Sequence, residues 1–319
     1  MNKRDTLTIA YPRSQSRRVI PTSTRAALVI ALMGFAALSC GDAIVKSMAG
    51  DWPGTAVSAL RYTFGAVGLG LIVGLRHGRG GFVLPRPALQ LGRALAVSLS
   101  TICFFMGVMA MPLASATAIQ FSSPIMTALL APLVLGERSP RAIWISTLLA
   151  FAGVLVVLRP NLLALGPIAL YPLAAAFGMS WLMMFNRKAA GDAPVLVMQF
   201  LLAIFAAPTL VIAAFLLHAT GLPQFHIPPP SAIVVAKCIA IALLATTGHS
   251  LIYIAVLRAS AATVAPMTYV QLLVAAAIGW AWFGNAPDAA TFAGAALIIG
   301  GGLLLWRAQK PKEVPETPD

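Results

Sequence analysis

Charged side chains are scarce in this chain. They make up 10% of the 319 residues, and only nine residues are acidic, whereas an ordinary soluble domain is about 25% charged. Hydrophobic residues reach 59%, and the mean hydropathy is +0.88. These residues supply too little polar surface to cover a soluble fold. The composition therefore excludes a cytosolic enzyme, a disordered chain and a nucleic-acid-binding module, and it predicts an integral membrane protein.

Cysteine and histidine are also few. The three cysteines, Cys40, Cys103 and Cys238, lie in apolar stretches, and an odd number in such places argues against a disulfide framework. No His or Cys pair has the spacing of metal ligands, and no phosphate-binding loop is present. We therefore expect no metal, no cofactor and no ATP-driven pump. The net charge of +13 comes from basic residues in the tails and between apolar runs, so we expect no nucleic-acid partner.

Long apolar runs dominate what remains. A membrane-spanning helix needs about 20 mostly apolar residues, and the regular mixture of Ala and Gly with Leu, Val and Ile does not fit the short strands of a β-barrel. The sequence predicts an all-α integral membrane protein with ten transmembrane helices. The predicted spans are Ala26–Met48, Gly54–Leu75, Leu91–Met109, Leu113–Leu135, Ala142–Leu158, Ile168–Phe185, Ala193–Leu217, Ile233–Leu257, Ala261–Phe283 and Ala289–Trp306.

The basic residues predict the orientation. Eighteen Lys and Arg lie in the tails and even-numbered connections, and Arg93 at the start of the third span is counted among them; Arg159 alone lies in an odd-numbered connection. By the positive-inside rule both termini, residues 1–25 and 308–319, are cytoplasmic, in a multi-pass protein of the cytoplasmic (inner) membrane. Residues 16–20 resemble part of a twin-arginine signal and residues 37–40 a lipoprotein cleavage site. An uncleaved first span is favoured, because nine spans would spoil the charge asymmetry.

The chain also repeats itself. Leu135-Gly136-Glu137 returns 148 positions later as Phe283-Gly284-Asn285, and Ala49-Gly50-Asp51 returns 141 positions later as Ala190-Gly191-Asp192. This divides the chain into two five-helix repeats, residues 26–159 and 160–307. Because five is odd, the second repeat is inverted in the membrane. Inverted repeats give two nearly equivalent conformations, one open to each face, which is what a transporter requires.

These motifs also resemble a known family. The chain is similar to EamA-type ten-helix members of the drug/metabolite transporter superfamily in residues 112–116, Ser123-Pro124, residues 135–138, residues 265–271 and Phe283-Gly284. It departs from the family pattern at Leu272, where Pro is common, and at Asn285, where an acidic residue is common. The resemblance implies a secondary transporter that moves a small organic metabolite (amino acid, nucleoside, vitamin, S-adenosylmethionine or drug-like compound) by alternating access. It also implies helices five and ten at the periphery, with helices one, three, four, six, eight and nine around a central cavity.

Polar residues inside the spans are the candidate site residues, because charges in a bilayer are costly. Asp42 and Lys46 lie on one face of the first span and, with Arg61, form either a coupling site or an ion pair. Pro124 and Pro266 are candidate hinges. The predicted substrate pathway consists of Gln120, Trp181, His249, Tyr269 and Gln271. Hydrogen bonding from one helix to another remains the alternative for these five residues.

Two other function classes were weighed. A polytopic membrane enzyme such as a lipid or prenyl transferase needs clustered carboxylates at a membrane face, whereas the nine acidic residues here are scattered. A passive channel would not need an inverted repeat. We therefore expect a non-enzyme whose partners are a small-molecule substrate and membrane lipid, with homodimerisation left open.

Overall fold

The computed structural model describes residues 24–48, 50–110, 116, 119–136, 140–158, 166–283 and 288–308. Their regular structure is helical, and no β-strand occurs among them. The first-repeat helices are α1 (Thr24–Lys46), α2 (Gly54–His77), α3 (Pro87–Ala110), α4 (Ser123–Leu135) and α5 (Arg141–Leu158). The second-repeat helices are α6 (Leu170–Lys188), α7 (Val195–His218), α8 (Ala232–Arg258), α9 (Val270–Phe283) and α10 (Ala289–Ala308).

The helices have the composition and length of a membrane bundle. Six described helices are long and apolar enough to cross a bilayer, and four shorter apolar helices correspond to predicted spans four, five, nine and ten. The predicted all-α membrane fold is therefore confirmed. The described residues leave out most of the two tails (residues 1–23 and 309–319) and also Glu137, Arg159 and Asn285.

The fourth and ninth spans are interrupted where the sequence predicted continuous helices. A turn at Phe121-Ser122 precedes α4, and Pro124 lies in the first turn of that helix. Before α9, a single helical turn (Ala261–Val264) leads into a 3-10 segment (Ala265–Tyr269) that contains Pro266. Proline lacks the backbone N–H that a continuous α-helix needs. Both candidate hinge prolines therefore lie at breaks of the helix rather than at simple bends.

The packing of the helices shows the inverted repeat. α1 packs on α8 as α3 packs on α6, and α2 packs on its counterpart α7. Two hydrogen bonds occupy equivalent positions in the two repeats. Ser39 Oγ of α1 donates to the Gln271 carbonyl oxygen at 2.9 Å, and Ser180 Oγ of α6 donates to the Ser123 carbonyl oxygen at 2.9 Å. Ser180 follows Ser39 by 141 positions and Gln271 follows Ser123 by 148, the two offsets of the repeat.

α5 and α10 pack mainly against each other. A β-carbon on Gly153 would lie 2.6 Å from the Gly294 carbonyl oxygen, and one on Gly301 would lie 2.7 Å from the Ser146 carbonyl oxygen. These contacts are also equivalent under the 148-residue offset. Such close approach of two backbones requires glycine and is typical of helix packing in membranes.

Candidate functional site

Arg61 of α2 is a positive charge inside the helix bundle. Its Nη2 donates to Thr101 Oγ1 of α3 at 3.3 Å, and its guanidinium lies over the rings of Tyr62 (4.8 Å to the centroid) and Phe105 (5.7 Å). The Nε atom is buried without a hydrogen-bond partner among the described residues. A guanidinium can donate five hydrogen bonds. Arg61 therefore has N–H donors that no described residue uses.

A small cavity of about 30 Å³ adjoins Arg61. It lies between α2, α7 and α8, so both repeats contribute to it. Its polar lining consists of Arg61, Tyr62, Gln199, Thr246 and His249. Of these three helices, only α8 belongs to the set that the family resemblance placed around the cavity. The resemblance did not place helices two and seven at the cavity. In the structure, however, α2 and α7 form part of its wall and pack on each other as equivalent helices of the two repeats.

Two other predicted residues, Asp42 and His249, lie within electrostatic range of Arg61. Asp42 of α1 interacts electrostatically with Arg61, although no carboxylate of the described chain lies within 4.0 Å of the Arg61 nitrogens. His249 of α8 lines the same cavity as Arg61. Its backbone carbonyl oxygen accepts a hydrogen bond of 3.4 Å from Gln199 Nε2. The structure thus brings Arg61 and His249 together at one cavity, which Asp42 does not line, while Lys46 is exposed at the end of α1.

A second arginine, Arg93 of α3, is fully buried. Its Nε donates to Asn186 Oδ1 of α6 at 2.8 Å, and its Nη1 donates to Gln90 Oε1 at 2.8 Å and to the Met198 carbonyl oxygen of α7 at 3.1 Å. The guanidinium also lies 5.4 Å from the centroid of the Tyr253 ring of α8. Arg93 therefore joins one helix of the first repeat to three helices of the second.

The other end of the bundle is closed by mostly apolar contacts. Met48, Trp52, Phe105 and Cys238 belong to one buried cluster there. Trp52 Nε1 donates to the Pro228 carbonyl oxygen at 2.8 Å, which ties the α1–α2 connection to the α7–α8 connection. Lys237 Nζ donates to the Ser47 carbonyl oxygen at 3.1 Å. The Arg61 cavity thus lies between a closure held by Arg93 and a closure held by this cluster.

Tyr269 lies in a different place from His249. Its side chain is 1% exposed, and its ring packs edge-on against Phe121 with centroids 5.9 Å apart. These two residues are equivalent under the 148-residue offset. Tyr269 and Pro266 line an apolar cleft between α1, α5, α9 and α10, and the Tyr269 hydroxyl has no hydrogen-bond partner in the described part of the chain.

The two predicted glutamines lie beside the helix breaks. Gln271 Oε1 accepts a hydrogen bond of 2.8 Å from the Thr268 hydroxyl, and the Gln271 backbone accepts the bond from Ser39. Gln120 directly precedes the Phe121-Ser122 turn, and its Oε1 is buried without a partner among the described groups. Neither glutamine lines the Arg61 cavity or the apolar cleft.

Trp181 of α6 also lines neither of these two spaces. It lies between Phe177 (centroids 6.0 Å apart) and Phe185 (5.3 Å). These three aromatic residues are spaced by four and so share one helix face. The predicted pathway residues therefore separate into an Arg61–His249 group, a Tyr269 group at the ninth-span break, and Trp181 in an aromatic stripe.

Sequence reasoning missed Arg93 and Gln199. Arg93 was counted with the loop charges, although it lies within the predicted span Leu91–Met109. A basic residue one turn inside an apolar run was the available signal, because a charge there must find partners. Gln199 is 3% exposed in α7, and nothing in its local sequence distinguishes it from a residue that faces another helix.

Comparisons with known proteins agree with this architecture. A sequence profile described as the EamA-like transporter family matches residues 25–159 and 166–307. A solved structure described only as a protein superposes with a TM-score of 0.74 at 22% identity, covering 89% of this chain and 98% of the other. That likeness concerns the fold alone.

Curated relatives are transporters of different metabolites. The S-adenosylmethionine uptake transporter of Rickettsia prowazekii is 26% identical over 88% of this chain and 92% of its own length. The pseudopaline exporter CntI of Pseudomonas aeruginosa is 25% identical over 90% and 98%, and the riboflavin transporter of Rhizobium johnstonii is 28% identical over 71% and 72%. With the family profile covering both five-helix halves, this multi-pass membrane protein belongs to the EamA-like transporter family and is a transporter of small metabolites.

Proposed function

We propose that the protein is a secondary carrier that moves its metabolite by alternating access through the Arg61 cavity. The observation that supports this most directly is the position of the cavity, which is lined by both repeats and lies between two closures of different chemistry. Inverted repeats that rock about a central site expose it to each face in turn. In this mechanism the Arg93 contacts and the Trp52 contacts open alternately.

Arg61 is the proposed contact for an anionic group of the substrate. A guanidinium with an unpartnered Nε matches the planar geometry of a carboxylate or phosphate, and the low-dielectric surroundings strengthen that interaction. His249 and Gln199 supply further polar groups in the same wall. Asp42 would hold a positive group of the substrate or a coupling cation opposite Arg61.

The proposed orientation has both termini in the cytoplasm of a bacterial cell and the protein in the inner membrane. It follows from the distribution of basic residues between the connections. The proposed repeats are residues 26–159 and 160–307. A cysteine at Gln224, exposed in the α7–α8 connection, should react with an impermeant maleimide from outside, and a cysteine at Gly80 should not. The reverse pattern would contradict the orientation.

Transport is tested with a thermal-shift screen followed by counterflow in proteoliposomes. The screen compares amino acids, nucleosides, riboflavin and S-adenosylmethionine, because a compound that binds the folded state raises its stability. A carrier exchanges labelled for unlabelled substrate without a nucleotide. The proposal fails if a compound that binds is not exchanged.

The site is tested with Arg61→Gln. We expect it to remove both the thermal shift and the counterflow for anionic compounds. A Tyr269→Phe protein, changed outside this cavity, should keep both activities.

A further inference from the structure

The apolar cleft that contains Tyr269 is separate from the Arg61 cavity and has a volume of about 360 Å³. Its walls include Leu28 and Leu32 of α1, Ala150 of α5, and Ile299 and Leu303 of α10. Ile299 is 50% exposed and Leu303 is 53% exposed. The cleft therefore opens at the side of the bundle, where the bilayer would surround it.

One end of this cleft is basic. Trp306 of α10 lines that end, and the Arg25 guanidinium lies 5.7 Å from the centroid of the Trp306 ring. The Arg25 Nε is buried without a hydrogen-bond partner among the described residues, and the neighbouring Arg307 is exposed. An apolar channel that ends at a tryptophan and the Arg25 guanidinium has the chemistry that complements an anionic amphiphile.

The cleft extends along α10 through about two thirds of the hydrocarbon thickness of one leaflet. From Ile299 to Trp306 along α10 the rise is about 10 Å at the helical pitch, and half of the hydrocarbon core is about 15 Å thick. With the orientation proposed above, the basic end lies at the cytoplasmic surface. Anionic lipids are concentrated in that leaflet.

We infer that this cleft binds one anionic phospholipid, with an acyl chain along the apolar walls and the phosphate at Arg25. Pro266 and Met267 of the 3-10 segment also line the cleft. The bound acyl chain therefore packs against the break in the ninth span. A lipid at this place supports the segment that must move if the break acts as a hinge.

The experiment is native mass spectrometry of the detergent-purified protein with equal amounts of phosphatidylglycerol and phosphatidylcholine that carry the same acyl chains. The wild-type protein should retain one phosphatidylglycerol about fivefold more than phosphatidylcholine, the preference expected from one basic residue at the membrane surface. Arg25→Gln should reduce this preference towards one. Arg79→Gln, which removes an exposed charge elsewhere, should keep it.

A second pair of variants tests the apolar part. Gly302 lines the cleft, and a β-carbon there would meet no atom within 4 Å, so Gly302→Leu fills the cleft without a clash. We expect it to reduce retention of both lipids. Gly68→Leu is the matched control, because Gly68 of α2 also faces open space. Equal retention of both lipids by the wild type, or wild-type retention by Arg25→Gln and Gly302→Leu, would overturn the inference. Either result would leave the carrier proposal unaffected, because the readout is lipid retention rather than transport.

Discussion

Arg61 and Arg93 are two positive charges inside the same helix bundle, and their surroundings differ. Arg93 is fully buried and makes three hydrogen bonds to acceptors in α3, α6 and α7. Arg61 makes one long hydrogen bond, lies against two aromatic rings and borders a cavity. Arg93 Nη2 and Arg61 Nε are each buried without a hydrogen-bond partner among the described residues, so the two arginines differ in the number of bonds they make and in the cavity beside Arg61. A charge held by several hydrogen bonds joins helices, whereas one with few bonds beside a cavity can bind a ligand. We therefore propose that Arg93 holds the bundle closed and that Arg61 contacts the substrate.

The largest expected effect is on stability, from Arg93→Ala. The change leaves Asn186 Oδ1 and Gln90 Oε1 without their donor and creates a cavity. Each unsatisfied buried group costs about 1–3 kcal/mol, and the cavity adds to this. The free energy of unfolding in detergent should therefore fall by about 3–5 kcal/mol. Arg79→Ala, at an exposed position, should be nearly neutral, and an equal loss in both variants would refute a special role for Arg93.

Arg61→Gln should reduce transport strongly and stability little. We expect counterflow of an anionic substrate to fall about 10- to 100-fold, which corresponds to about 1.4–2.8 kcal/mol, because the charge-assisted hydrogen bond to the ligand is lost. Unfolding should change by less than about 1 kcal/mol, since one long hydrogen bond is removed. Arg61→Lys keeps the positive charge but not the planar guanidinium. Its counterflow rate should therefore lie between those of the wild type and Arg61→Gln. If Arg61→Gln unfolds as easily as Arg93→Ala, the two arginines have the same structural role and the comparison fails.

The sequence predicted the helical architecture better than the site. Long apolar runs directly indicate membrane-spanning helices. The offsets of 141 and 148 indicated which positions of the two repeats are equivalent. The serine bonds Ser39–Gln271 and Ser180–Ser123 could not be predicted, because nothing in the local sequence says which hydroxyl faces another helix. The breaks before α4 and α9 were seen only as prolines, since the choice between a bend and a 3-10 segment depends on tertiary packing.

The division of the site residues has a related cause. In a soluble helix a polar face shows which way each residue points, but most helices here are apolar on all sides. His249 and Tyr269 therefore looked alike as polar groups in neighbouring spans, although one lines the Arg61 cavity and the other the lateral cleft. Arg61 was recognisable because an intramembrane charge is informative wherever it points. The predicted roles of all the candidate site residues stay predictions: Asp42, Lys46 and Arg61 as a coupling site or ion pair, Pro124 and Pro266 as hinges, and Gln120, Trp181, His249, Tyr269 and Gln271 as the pathway.

A smaller effect is expected at the closure opposite Arg93, which depends on apolar packing and the Trp52–Pro228 hydrogen bond. Trp52→Phe keeps an aromatic ring but removes the 2.8 Å bond from Nε1, which contributes about 1 kcal/mol. Cys238 is fully buried in the same cluster. Its rate of maleimide labelling, in a protein with Cys40→Ser and Cys103→Ser, should therefore rise about fivefold. Trp144→Phe in α5 should leave the rate unchanged, and an unchanged rate in Trp52→Phe would show that this bond does not hold the closure.

The smallest expected effect comes from Thr101→Val, which removes the hydroxyl that accepts from Arg61 Nη2 and keeps the shape of the side chain. The bond is 3.3 Å long, so its net contribution is at the low end of the usual range, about 0.5 kcal/mol. If Thr101 orients Arg61 for a ligand, the apparent affinity in counterflow should weaken about twofold while unfolding is unchanged. Ser98→Ala is the matched control, because its buried hydroxyl on the same helix has no hydrogen-bond partner among the described residues. A loss of stability in Thr101→Val without a change in affinity would mean that Arg61, like Arg93, is held by its protein partners and is not available to a substrate.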